Sequence, residues 1–232
     1  MDETTVRRLV ALNEAFYARF AVPFAASRAA PQPGHERLLP YAPASGGRVL
    51  DVGCGEGRFL RFLRARGRDV DYTGVDFAPD LLALGDASSR LAQRDLSRPG
   101  VLADLGRFDL VVCLSTLQHI PGRVNRARLM AEMGACLLPG AHLALANWQF
   151  ADSERQRRKV QPWSAAGLEA ADVEAGDYLL SWQRGGRGLR YVALVDGEET
   201  RRLAAEAGLC VVTQFRSDGR EGDLNLYTIL AG

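Results

Sequence analysis

The segment Val49-Leu50-Asp51-Val52-Gly53-Cys54-Gly55-Glu56-Gly57-Arg58-Phe59-Leu60 constrains the fold more than any other stretch of this chain. An apolar run suited to a buried strand breaks into three alternating glycines and re-enters as a helix start. Glycines adopt left-handed torsions at no steric cost and let a ligand approach the backbone, while the helix N-terminus that follows offers unpaired N–H groups to an anion. Such a strand, loop and helix opens a doubly wound α/β sheet. The glycine spacing is selective. A dinucleotide fingerprint puts its third glycine at position 58, where Arg58 stands, and Gly57 comes one residue early.

Later segments extend the pattern. Asp71-Tyr72-Thr73-Gly74-Val75-Asp76 reads as a second strand ending in an acid, about 25 residues past Asp51, where a doubly wound fold places the carboxylate that grips ribose hydroxyls. Ala92-Gln93-Arg94-Asp95-Leu96 reads as the loop after the third strand, Phe108 to Ser115 as the fourth strand and Ala141 to Trp148 as the fifth. A helix over Glu198 to Ala207 and strands over Leu209 to Phe215 and Leu224 to Leu230 close the chain. The acidic-x-Gly-x-Gly-x-Gly form and the order of these elements resemble class I S-adenosylmethionine-dependent methyltransferases. The resemblance implies an α/β, Rossmann-like doubly wound sheet of seven strands with an antiparallel terminal strand. It implies S-adenosylmethionine as cofactor, held by Asp51, Gly53, Gly55, Asp76, Phe77, Asp95, Leu96 and Leu114.

With 232 residues and 47% apolar content the chain is expected to form one domain: an N-terminal helical cap (1–45), a core (46–148 and 197–232) and a substrate-binding insert before the last helix (149–196). In the cap, Val6, Leu9, Val10, Leu12 and Phe16 fall near helical spacing until Pro23 is expected to interrupt. The cysteines, Cys54, Cys113, Cys136 and Cys210, are scattered without metal-ligand spacing, so no metal site is expected. With no leader and no bilayer-length apolar run, a cytoplasmic protein without a membrane partner is expected. A net charge of +1 does not announce a nucleic-acid binder.

The flanking pieces resemble one branch of that superfamily, the tRNA methyltransferases that esterify a carboxymethyl group on wobble uridine. Leu12-Asn13-Glu14-Ala15-Phe16-Tyr17, Phe24, Ser27-Arg28 and Pro31-Gln32-Pro33 resemble its N-terminal signature, and Gln118-His119 its double histidine with the first replaced. Gly176-Asp177-Tyr178-Leu179-Leu180-Ser181-Trp182 and Arg190-Tyr191 resemble its later segments, with Ser181 in place of a proline. The resemblance implies tRNA as acceptor and a small activator protein as partner. A carboxylate acceptor is already ionised near neutral pH and needs donors rather than a base. Arg28 and His119 are the catalytic candidates, with Tyr17, Trp182, Arg190 and Tyr191 as substrate-binding candidates. His119 suits a base as well, so a small-molecule methyltransferase acting on a metabolite hydroxyl, amine or carboxylate is the alternative. His35 and His142 read as a loop and a strand-face histidine, Trp163 and Trp182 as packing anchors, and Arg155 to Lys159 as a solvated helix face.

Overall fold

The computed structural model describes residues 1–28, 30–86 and 89–232. The chain begins with helix α1 (Glu3–Ala26) and the single turn α2 (Pro33–Glu36), then runs β1 (Ser45–Val52), α3 (Arg58–Ala65), β2 (Asp69–Asp76), α4 (Pro79–Leu82), β3 (Arg90–Gln93), β4 (Phe108–Leu114), α5 (Arg123–Ala135) and β5 (Leu137–Trp148). There follow α6 (Glu154–Arg157), β6 (Val160–Gln161), β7 (Asp177–Trp182), β8 (Gly188–Ala193), α7 (Gly197–Glu206), β9 (Cys210–Ser217) and β10 (Asn225–Ala231).

Seven strands form one sheet in the order β3-β2-β1-β4-β5-β10-β9. The first five are parallel, and β10 runs antiparallel to both β5 and β9, so the expected α/β, Rossmann-like sheet with an antiparallel terminal strand is present. The central strands carry apolar residues on both faces because helices cover both. Leu50, Val52, Val111 and Leu143 pack in one layer, and Val49, Leu110, Val112 and Ala144 in the other. Strand order reverses between β1 and β4, which opens a crevice at their C-terminal ends. A second antiparallel sheet, β6-β7-β8, comes from the stretch between β5 and α7.

Three elements depart from the sequence expectation. Helix α1 does not stop before Pro23 but continues to Ala26. Proline lacks the N–H and crowds the preceding turn, yet here only one turn follows it, and Phe16, Tyr17, Phe20 and Phe24 bury on one face of the helix across that point. Burying each of those rings is worth about 2 kcal/mol, enough to carry the helix over the defect. Among the described residues no helix joins β3 to β4, where strand-helix alternation was expected; turns over 100–105 cross instead, anchored by the buried Leu102. His35 is not a loop histidine: it lies in α2, fully buried against Phe59 and Phe62. No helix among the described residues is long and apolar enough to cross a membrane.

Candidate functional site

The glycine loop is shaped by its neighbours. Gly53, Gly55 and Gly57 all have positive φ (82°, 54° and 73°), and a Cβ on Gly53 would run into the Thr116 side chain. The Gly53 and Cys54 N–H groups donate to the Val75 carbonyl at 2.7 and 3.1 Å, tying the loop to the end of β2. At the facing strand end Ser115, a non-glycine residue, is held at φ 64°, strain that the surrounding sheet sustains at the rim of the crevice. The crevice lies at the C-terminal ends of the strands where their order reverses, the usual place for a ligand in a doubly wound sheet.

Four acids line it: Asp51, Glu56, Asp76 and Asp95. Asp76 accepts from the Gly55 N–H at 2.8 Å on one oxygen and from the Ala78 N–H at 2.9 Å on the other. Each oxygen keeps lone-pair capacity, and burial raises this carboxyl against the pull of those N–H groups. Asp51 accepts from the Tyr72 hydroxyl at 2.5 Å and is pushed up to about 7, chiefly by burial. Its charge therefore awaits a cation. Asp95 is bound differently: one oxygen takes the Ser97 N–H and hydroxyl, at 3.0 and 2.5 Å, and the other takes Arg98 Nε at 3.0 Å. Phe77, Leu96 and Leu114 line the same crevice with Gly53 and Gly55, so the structure brings all eight cofactor candidates together.

Tyr17, Arg28 and His119 line the same crevice. Helix α1 delivers Tyr17, whose ring meets Phe77 edge-on at 5.4 Å and His119 at 6.0 Å. His119, 8% exposed, holds Nδ1 3.0 Å from the Tyr191 carbonyl oxygen. A carbonyl only accepts, so Nδ1 carries the proton and the neutral ring has a lone pair at Nε2. Burial, with Arg190 and Arg28 nearby, holds its pKa down to about 3. This alters the expected chemistry, because a neutral ring whose N–H is already engaged offers a carboxylate no second donor.

Three of the four substrate-binding candidates do not line the crevice. Tyr191 is fully buried; its hydroxyl donates to Asp177 at 2.7 Å and accepts from Arg126 at 3.0 Å. Successive residues of a strand point to opposite faces, so Arg190 and Tyr191 on β8 are sent apart. Trp182 packs against Phe16 and Phe24, and its indole N–H donates to the Arg184 carbonyl at 2.6 Å. Arg190 stays near Tyr17 and His119, buried behind the crevice wall. Gln118, in the place of the first histidine of the double-histidine pattern, accepts the Trp148 N–H at 2.6 Å.

The structure adds residues that the sequence reading did not assign. Asn13 forms a two-way clamp on β8, accepting the Tyr191 N–H at 2.8 Å and donating to the Tyr191 and His119 carbonyls at 3.3 Å. A polar residue on the apolar stripe of α1, one turn from Leu9 and from Phe16 and Tyr17, was the available signal. Arg58, read only as a missing glycine, lines the crevice and donates to the Gln32 side chain at 2.9 Å.

The chain matches the family profile described as a methyltransferase domain over residues 24–214. It is 30% identical over 211 residues to the biotin biosynthesis bifunctional protein of Bordetella avium, covering 78% of this chain and 45% of that protein, so it spans less than half of that relative. It is 27% identical over 202 residues to the ubiquinone biosynthesis O-methyltransferase of Nitrosospira multiformis, covering 80% of this chain and 76% of that protein. In fold it is similar to an S-adenosylmethionine-dependent methyltransferase from Clostridium acetobutylicum, with a TM-score of 0.65, 13% identity and coverage of 93% and 98% of the two chains.

Proposed function

The chain belongs to the methyltransferase-domain family, and from that premise we propose that it transfers the methyl group of S-adenosylmethionine to a small organic acceptor through a hydroxyl or amine. The observation that carries this reading is the convergence of the glycine loop, Asp51, Asp76 and His119 on one crevice. When bound, the cofactor supplies an electrophilic methyl on a sulfonium. The residues present fit it: Asp76 keeps lone pairs for two ribose hydroxyls, and Asp51, held near neutral pKa, suits an ammonium. Phe77 and Leu96 offer apolar surface to a flat ring.

For the transfer, the chain's own part is to align the acceptor and exclude water. Tyr17 and Phe24 on α1 close one side of the crevice with aromatic surface. For a hydroxyl acceptor His119 Nε2 accepts the proton that the oxygen sheds, since an alkylated oxygen is strongly acidic and a base weakened by burial suffices; an alkylated amine keeps its proton until it leaves for solvent. The names of the biotin- and ubiquinone-pathway relatives support a small acceptor. The wobble-uridine ester reading rests on the flanking motifs alone, and its carboxylate clamp loses the His119 donor and the Trp182 and Tyr191 side chains.

Calorimetry with S-adenosylhomocysteine tests the cofactor assignment. The native chain is expected to bind it and not NAD, and Asp76→Ala to weaken binding by about ten- to hundredfold, the worth of hydrogen bonds to a charged group. Unchanged affinity in that variant removes Asp76 from the site. Mass spectrometry of metabolites and nucleosides from a deletion strain then identifies the acceptor, and a missing tRNA ester would reverse the choice between the two acceptor classes.

A further inference from the structure

Two buried guanidinium groups differ in their partners. Arg126, 5% exposed, has Glu174 at 3.3 Å and Asp177 at 3.9 Å. Arg190 is 6% exposed, yet its Nε and one terminal nitrogen have no hydrogen-bond partner. Its guanidinium lies among aromatic rings, 4.3 Å from Trp148, 5.3 Å from Phe16 and 5.5 Å from Trp182, and it meets the Tyr17 hydroxyl. Arg28, on the crevice wall, lies 3.7 Å from the Phe24 ring and 5.7 Å from the same Trp148. Among the described residues neither arginine has a carboxylate within ion-pair distance.

Aromatic faces return less to a cation than its burial costs. The two arginines also repel each other: Arg28 is held down to about 9 by burial first and by Arg190 next. Such a pair is completed by an anion.

Resting on the methyltransferase reading, we propose that the acceptor carries a carboxylate, separate from the atom that is methylated, and that Arg28 and the Tyr17 hydroxyl receive it while Arg190 positions Tyr17 from behind. The geometry suits the task. Tyr17 and Arg28 both line the crevice, and burial keeps the phenol protonated, so it can donate to an anion with the Arg190 guanidinium beside it. The cofactor has one carboxylate of its own, but the crevice has a second cation for it in Arg58, at the start of α3 beside the glycine loop.

The test uses the full chain saturated with S-adenosylhomocysteine and titrated with benzoate, with benzamide as the uncharged match. Calorimetry reads affinity, and tryptophan fluorescence reports on Trp148 between the two arginines. Benzoate is expected to bind saturably and benzamide not. Arg28→Gln should weaken benzoate by about ten- to hundredfold, and Tyr17→Phe, which removes only the hydroxyl, by up to about tenfold, with cofactor-product affinity held within about threefold in both. Arg190→Gln should mimic Tyr17→Phe; if that buried change prevents folding, Tyr17→Phe carries the test alone. The proposal is overturned if benzoate binds no better than benzamide. It is also overturned if Arg28→Gln weakens S-adenosylhomocysteine itself tenfold, which would give this cation to the cofactor's carboxylate. Failure of the native chain to bind S-adenosylhomocysteine overturns the methyltransferase reading and this one with it, and is seen before any benzoate is added.

Discussion

Asp51 shows how one side chain trades stability for binding. Its carboxyl is raised from 3.8 to about 7 because burial outweighs the Tyr72 hydrogen bond, with Asp76 and Glu56 raising it further and Arg58 opposing them. A folded-state pKa above the unfolded value means that the native chain holds this proton more tightly. Stability from this group is therefore fully present below about pH 4 and lost as pH rises through about 7. Asp51→Asn removes that loss while its amide oxygen still accepts from Tyr72. The ligand-free variant should melt a few degrees higher than the native chain at pH 8, with the difference vanishing near pH 4. The same substitution removes the partner for an ammonium, so S-adenosylhomocysteine affinity should drop sharply. In the native chain that affinity should fall as pH is lowered from about 8 to about 6, as Asp51 takes up its proton. Calorimetry at several pH values together with melting curves checks both halves. A pH-independent affinity would remove Asp51 from contact with the cofactor's charge.

Element by element, the glycine loop and α1 show what sequence can and cannot convey. The loop was legible because its glycines, Asp51 and Asp76 follow from one strand-loop-helix geometry whose constraints are local in sequence. Helix α1 was legible as an apolar stripe, but its length was not, since the continuation past Pro23 depends on Phe20 and Phe24 meeting distant partners such as Gly188 and Trp182. The same holds for Asn13, whose partners lie 106 and 178 residues away. Tyr191 is a different failure: strand alternation, readable from sequence alone, already separates it from Arg190. Asn13→Ala should expose how α1 is held. It leaves a buried N–H and two carbonyls of β8 and the His119 turn short of a partner, and each unsatisfied group costs about 1–3 kcal/mol, partly offset by second acceptor lone pairs. Urea unfolding should show a loss of about 2–4 kcal/mol, and hydrogen exchange should quicken along α1 more than along β4. A loss below about 0.5 kcal/mol would mean that the aromatic cluster alone docks the helix.

At the scale of the whole molecule, charge distribution bears on the choice between the two acceptor classes. The chain is near neutral, and many of its surface arginines are answered locally: Arg7 by Glu3, Arg94 by Asp104, Arg123 by Glu199 and Glu206, Arg216 by Asp152. Even the basic run after β5 has Arg158 paired with Glu154. A nucleic-acid face needs the opposite arrangement, cations left free to displace counterions along a phosphate backbone. Arg28 and Arg190, which have no acid within ion-pair distance, are packed among aromatic rings around one small crevice, where they suit a single anionic group. Salt separates the two cases quantitatively. A protein making six or more phosphate contacts loses about a thousandfold in affinity between about 50 and 200 mM salt, whereas one carboxylate held in a partly buried pocket loses only a few-fold. Unfractionated tRNA is therefore expected to show no saturable binding to the S-adenosylhomocysteine complex at about 150 mM salt, by fluorescence anisotropy of labelled tRNA, while benzoate affinity changes little across the same range. Tight tRNA binding with a steep salt slope would mean that the cations left on the surface gather along a path on folding, and would restore the wobble-uridine ester as the acceptor.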